Sequence, residues 1–131
     1  FTTCLAIKIA MDGTLVFANA GQLAPYRNGV EIASETGLPL GIISNLTYPE
    51  STLQLAKGDR LTLMTDGIPE AASHRELFGF SRTEELSQQS PDRIAEAAQR
   101  FGQTDDITVL SIDFCGEACE PQLGSVSFLV D

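Results

Sequence analysis

Basic side chains are scarce in this chain. Eight Lys and Arg stand against 18 Asp and Glu in 131 residues, a formal charge of -10 at pH 7 with a pI near 4.3. Such a surface repels phosphate backbones and anionic headgroups, so nucleic acid is not an expected partner. Long apolar runs are missing as well: none approaches the ~20 residues that cross a bilayer, and no basic stretch leads into an apolar leader. The chain is expected to be soluble and cytoplasmic, with any membrane tether lying upstream. It opens at Phe1, without Met, directly in an alternating apolar pattern, and is expected to be a piece of something longer. Cysteine is too sparse for a disulfide framework: Cys4 falls in a predicted strand, and Cys115 and Cys119 bracket Gly116-Glu117-Ala118. Reduced thiols are the default, with a local Cys115/Cys119 disulfide or half of a soft metal site as alternatives. Histidine occurs once, as His74 in an exposed-looking Ser-His-Arg-Glu stretch, which argues against zinc and gives it no role. No glycine-rich loop has the spacing of a P-loop or dinucleotide fold, so nucleotide binding has no support.

What is present is a chain 43% apolar, enough for one compact domain with a core and too short for two. Apolar residues alternate over residues 3–10 and 14–20 on either side of Asp12-Gly13, which predicts a hairpin. A shorter hairpin is predicted over 23–28 and 30–33, with Asn28-Gly29 supplying residues that tolerate positive φ. Gly and Pro punctuate 37–41 and 44–49 into a structured loop. Strands resume at 51–55 and 60–65, joined by Ala56-Lys57-Gly58-Asp59, and the second is apolar enough to be central. Beyond Asp66-Gly67 the pattern turns helical: a short turn over 69–75, a moderate helix over 83–89 and the strongest helix over 92–101. In the last, Pro91 stands near the first turn, Ile94, Ala97, Ala98 and Phe101 fall at helical spacing, and Gly102 is the stop. Residues 106–114 predict a buried strand and 125–130 an edge strand. The order predicts an α+β domain, helices packed on antiparallel sheet, with no internal repeat.

The two Asp-Gly pairs sit in different surroundings. Asp12-Gly13 has a strand on both sides and is explained by the hairpin, whereas Asp66-Gly67 closes an apolar strand and has no strand after it. A carboxylate at the end of a central strand, with a glycine that allows close backbone approach, is a rigid way to present an oxygen ligand; a capping Asp before a helical turn is the alternative. Asp105-Asp106 precede the 107–112 strand and read either as a solvated loop pair or as ligands at a strand end. Two carboxylates about 5 Å apart repel by roughly 3 kcal/mol at an effective dielectric near 20, so convergence with Asp66 would call for a divalent cation. Oxygen-only donors favour Mg2+ or Mn2+.

The ordered set Asn19-Ala20-Gly21 with Pro25 after it, Gly37-Leu38-Pro39-Leu40-Gly41, Gly58-Asp59-Arg60-Leu61 running into Thr65-Asp66-Gly67, Glu70-Ala71, and Asp105-Asp106-Ile107-Thr108 resembles the sporulation protein E branch of the metal-dependent 2C-type protein phosphatases. The resemblance runs over residues 1–114 and implies the later part of that fold, antiparallel sheets in a sandwich flanked by helices; residues 115–131 are a tail with a further edge strand. It implies a serine/threonine protein phosphatase using two Mn2+ or Mg2+ ions, with a metal-activated water rather than a side chain attacking phosphorus. By resemblance Asp66 and Asp105 are metal ligands and Asp106 supports them. The family's earlier metal motifs would lie upstream of Phe1, Gln22 stands where relatives often carry His, and Pro69 is unusual after Asp-Gly. The isolated chain is therefore expected to have little activity. Implied partners are a phosphoserine or phosphothreonine protein, as in bacterial sigma-factor signalling, and an upstream sensor region. The alternative is a non-catalytic interaction or signal-relay module of the same fold. Self-association through exposed sheet is also expected.

Overall fold

The computed structural model describes residues 1–116 and the backbone of 126–129. In chain order the elements are β1 (Cys4–Ile9), β2 (Thr14–Ala20), β3 (Tyr26–Arg27), β4 (Val30–Glu31), β5 (Thr36–Gly37), β6 (Glu50–Gln54), β7 (Arg60–Met64), β8 (Ala72–Ser73), β9 (Glu76–Leu77), α1 (Gly79–Leu86), α2 (Pro91–Gly102), β10 (Ile107–Asp113) and β11 (Val126–Leu129). They form two facing sheets, with helices against the far side of one: the α+β sandwich the sequence predicts.

The first sheet grows from the β1–β2 hairpin, antiparallel from Cys4↔Ala20 to Ile9↔Leu15. The other edge of β2 is shared: β6 runs antiparallel along Thr14–Ala18, and β5 lies parallel beside Asn19 and Ala20. The second sheet has the order β11-β10-β7-β3-β4, so β7 is central and β11 lies at an edge. Period-two alternation gives β7 two apolar faces. Leu61 and Leu63 pack with Leu15, Phe17 and Leu55 between the sheets. Met64 points the other way, into a cluster with Ile107, Val109, Ile94 and Ala98 beneath α2.

Helix α2 begins where expected: Ser90 is its N-cap, its hydroxyl accepting from the Arg93 N–H at 3.5 Å, with Pro91 in the first turn. Ile94, Ala95 and Ala98 are buried along its inner face. Burying Ile94 alone contributes about 2 kcal/mol. Phe101 meets Phe78 edge to face with ring centres 5.4 Å apart, which ties α2 to the residue before α1.

Two sequence expectations change, and one predicted turn acquires its place. Residues 69–75 hold no helical turn; the turn comes earlier, where the Glu70 N–H donates to the Asp66 carbonyl at 3.0 Å. Buried Ala71 then accepts from Phe78 N–H at 2.8 Å, which holds the next residues extended as the β8–β9 hairpin. The moderate helix starts four residues and ends three residues earlier than 83–89. Gly79, at φ 81°, reads as a breaker yet opens α1, because its N–H donates to Pro69 at 2.9 Å and buried Phe78 anchors the start. Finally, the strands on either side of residues 56–59 belong to different sheets, so that turn is a crossing between layers. The Asp59 carboxylate holds the crossing by accepting from Ala56 N–H at 2.7 Å. Cys4 and Cys115 are free, half-buried thiols; the Cys115/Cys119 pairing falls outside the described residues. Among the described residues no helix is long and apolar enough to cross a membrane.

Candidate metal centre

Strands β7 and β10 are antiparallel, Met64 opposite Val109, so the end of one lies beside the start of the other. One residue further the pairing continues, with Thr65 N–H donating to the Thr108 carbonyl at 3.0 Å. The Thr65 hydroxyl then clamps the junction: it accepts from Thr108 N–H at 2.9 Å and donates to the Asp106 carbonyl at 3.3 Å. Gly67 sits so close to Asp106 that a methyl group there would overlap the Asp106 carbonyl oxygen. Only glycine permits this approach, and it places Asp66 at the same end of the sheet as Asp105 and Asp106.

All three carboxylates are exposed there. Asp105 folds back on its own backbone, its Oδ1 accepting from Asp106 N–H at 2.8 Å. The Gln103 side chain donates to the Asp105 carbonyl at 3.0 Å, and its Oε1 is buried without a hydrogen-bond partner among the described residues. Carboxylate and amide-carbonyl oxygens are the donor chemistry a hard cation takes. In number the set falls short: no three acidic, His or Cys side chains converge into a cation cage among the described residues. Oxygen donors of this kind suit Mn2+ or Mg2+ in type.

A cavity of about 230 Å³ opens between the sheets at this end, lined by Thr3, Cys4, Leu5 and Gln22 from one side and by Leu63, Met64, Thr65, Thr108 and Leu110 from the other. The Asn19-Ala20-Gly21 segment shapes its wall. Buried Asn19 donates to the Gln22 carbonyl and accepts from Gln22 N–H, both at 2.8 Å, which locks the loop. Sequence reasoning read this segment only as a marker of resemblance; the signal that could have found its role is an Asn three residues before a turn's closing N–H. It also missed Thr65, whose β-branched hydroxyl in a strand end looks like ordinary strand composition.

The opposite ends of β7 and β10 are closed by ion pairs. Arg60 forks onto Asp113 through two bonds of 2.6 and 2.8 Å, and a third reaches the Gln88 carbonyl at 3.0 Å. Arg27 pairs with Asp59 at 2.5 Å while Asn28 donates to the same carboxylate at 2.7 Å. The Asn28 side chain and the Ala56 N–H, with Arg27, hold the Asp59 carboxyl below its ordinary value; the Arg60 guanidinium does the same to Asp113.

With this geometry in place, the comparisons decide the family. The profile of Stage II sporulation protein E (SpoIIE) matches residues 1–114. The chain belongs to the SpoIIE family. No curated protein matches the chain. Among solved structures, the phosphatase domain of the cell fate determinant SpoIIE from Bacillus subtilis superposes with TM-score 0.65 at 20% identity, covering 92% of this chain and 61% of that one. Its Mn-presoaked form gives TM-score 0.61 at 23% identity, covering 93% and 63%. The RsbU and RsbW domains of Rv1364c from Mycobacterium tuberculosis give TM-score 0.63 at 21% identity, covering 87% and 36%. At these identities the likeness establishes the 2C-type fold. The chain spans less than two thirds of each of these structures.

Proposed function

We propose that this chain is part of a metal-dependent phosphatase domain that hydrolyses phosphoserine or phosphothreonine in a protein. The observation that carries the reading is the junction of β7 and β10, where Gly67 and Thr65 hold Asp66 at the same strand end as Asp105 and Asp106, in a chain of the SpoIIE family. Asp66 and Asp105 would hold Mn2+ or Mg2+, with Asp106 orienting them, and the bound ion would neutralise phosphoryl charge and acidify water. The chain's own residues supply rigidity. The Thr65 clamp holds the strand ends together, and the Asn19 lock fixes the loop across the cavity. A phosphoprotein of bacterial signalling, such as a sigma-factor regulator, is the proposed substrate. The cytoplasm is the proposed compartment, with an upstream sensor as the controlling element.

A second reading, a non-catalytic interaction module of the same fold, is favoured by the absence of a three-acid cluster among the described residues. Calorimetric titration of Mn2+ into the chain and into Asp66→Ala and Asp105→Ala, with hydrolysis of p-nitrophenyl phosphate in parallel, separates the two. Binding abolished in both variants, with slow turnover by the parent chain, supports the phosphatase. Binding that survives both substitutions moves the cation elsewhere and sinks the assignment of these carboxylates.

A further inference from the structure

The turn that bears Asp66 runs directly into the β8–β9 hairpin, whose tip is His74-Arg75. Both tip residues lie in the left-handed region, at φ 46° and 77°, where L side chains other than Asn and Asp are rarely found. A sequence built for stability alone would place Asn-Gly here, as the same chain does at Asn28-Gly29. Instead the tip lifts two long polar side chains into solvent. The neighbouring acid, Glu76, is engaged by Arg82 at 2.5 Å, and Arg75 has no ion pair among the described residues. Beside the tip, Leu77 and Phe80 are 58% and 61% exposed.

The position of this patch gives it meaning. The chain carries a formal charge of -10, and its candidate metal centre is lined by carboxylates, so an anionic substrate meets repulsion over most of the surface. An unpaired guanidinium next to apolar surface is the local exception. We infer that the His74-Arg75 tip, with Leu77 and Phe80, is a docking contact for an acidic segment of the phosphoprotein substrate that also carries an apolar residue. The inference rests on the phosphatase reading and adds to it the sequence class of the substrate. Its distance sets the spacing. The tip lies three residues, at most about 10 Å, beyond Ala71, and the Asp66 turn adds one helical turn. An extended peptide rising ~3.3 Å per residue covers that in about five residues. The acidic residue is therefore expected within about five positions of the phosphorylated one.

The test uses this chain and two fluorescein-labelled peptides that carry a non-hydrolysable phosphonate in place of phosphoserine. One has Asp and Glu within about five positions of the phosphonate with a Leu beside them, and the other has Asn and Gln there. Anisotropy titration should show the acidic peptide bound about fivefold tighter, the size of one exposed charge contact. Arg75→Glu should erase that preference and Arg75→Lys keep most of it. Arg75→Gly relieves the left-handed strain, so it should lose the preference while melting no lower than the parent, which separates docking from folding. Lys57→Glu makes the same charge change on a distant turn and should keep the preference. Equal binding of the two peptides, or equal losses in Arg75→Glu and Lys57→Glu, overturns the inference. A chain that shows the Arg75-dependent preference but binds no Mn2+ keeps the docking contact and overturns only the assignment of Asp66 and Asp105 as sufficient to hold the ion. One that binds Mn2+ through Asp66 and Asp105 but shows no preference retires docking alone.

Discussion

Strands β7 and β10 have two ends that are built in opposite ways. At one, Arg60 with Asp113 and Arg27 with Asp59 pair opposite charges and satisfy each carboxylate with several donors. At the other, Asp66, Asp105 and Asp106 stand exposed with like charge, and neutral groups, the Thr65 hydroxyl and the Gly67 backbone, hold the strands together. The comparison separates two uses of a carboxylate. A paired one contributes to the folded state directly, and an unpaired one near others is a cost that the rest of the fold carries so that something else can bind. The same pair of strands thus carries paired carboxylates at one end and exposed ones at the other.

Removing a carboxylate at the two ends should therefore differ in sign as well as size. The largest effect is expected from Gly67→Ala, whose methyl has no room beside the Asp106 carbonyl. Forcing the strand ends apart should cost about 3 kcal/mol in urea unfolding and abolish Mn2+ binding together. An Asp59→Ala chain leaves Arg27, Asn28 and the Ala56 N–H without their acceptor and should lose about 2 kcal/mol with cation binding untouched. Arg60→Ala comes next. Its partner Asp113 is 63% exposed, so solvent screens the pair and the loss should stay near 1 kcal/mol. The smallest change, and the only one expected in the stabilising direction, is Asp66→Asn, which should raise the melting temperature slightly while removing Mn2+ binding. A loss of stability on that substitution would break the contrast.

Acid should read the same asymmetry. The folded-state values of Asp59 and Asp113 lie below the ordinary 3.8. Their stabilisation is therefore complete above that value and disappears as pH falls through the lower folded values. Urea midpoints measured from pH 5 downward should drop less steeply for Asp59→Asn than for the parent chain. An unchanged slope would mean that Asp59 is not held as its contacts indicate.

Much of this was legible in the sequence, and the reasons are local. Alternation around Asp12-Gly13, the Asn28-Gly29 turn, and Pro91 in the first turn of α2 are short-range signals, and the hairpins and helix appear where those residues put them. The β8–β9 hairpin was hidden because His74-Arg75 lacks the turn residues that its backbone angles favour, and only burial of Ala71 and Phe78 fixes it. The start of α1 was hidden for the converse reason, a glycine where a helix begins. At the candidate centre the residues could be named but not brought together: that Asp66 and Asp106 share an end depends on the β7–β10 register and on a backbone approach at Gly67, both long-range facts with no local signature.

The central place of β7 has a consequence for how the chain acquires its shape. Its pairing partners lie roughly 35 residues earlier and roughly 45 residues later, in β3 and β10, and separations of that size slow folding because a long loop must close before any contact rewards it. During synthesis β7 emerges when only one neighbour exists, and its other edge waits until α2 and β10 have been made. The β1–β2 hairpin can form within microseconds, whereas joining the two sheets around β7 should take milliseconds to seconds and set the overall rate. The strand that presents Asp66 is thus expected to be secured only after its long-range partners have closed on it.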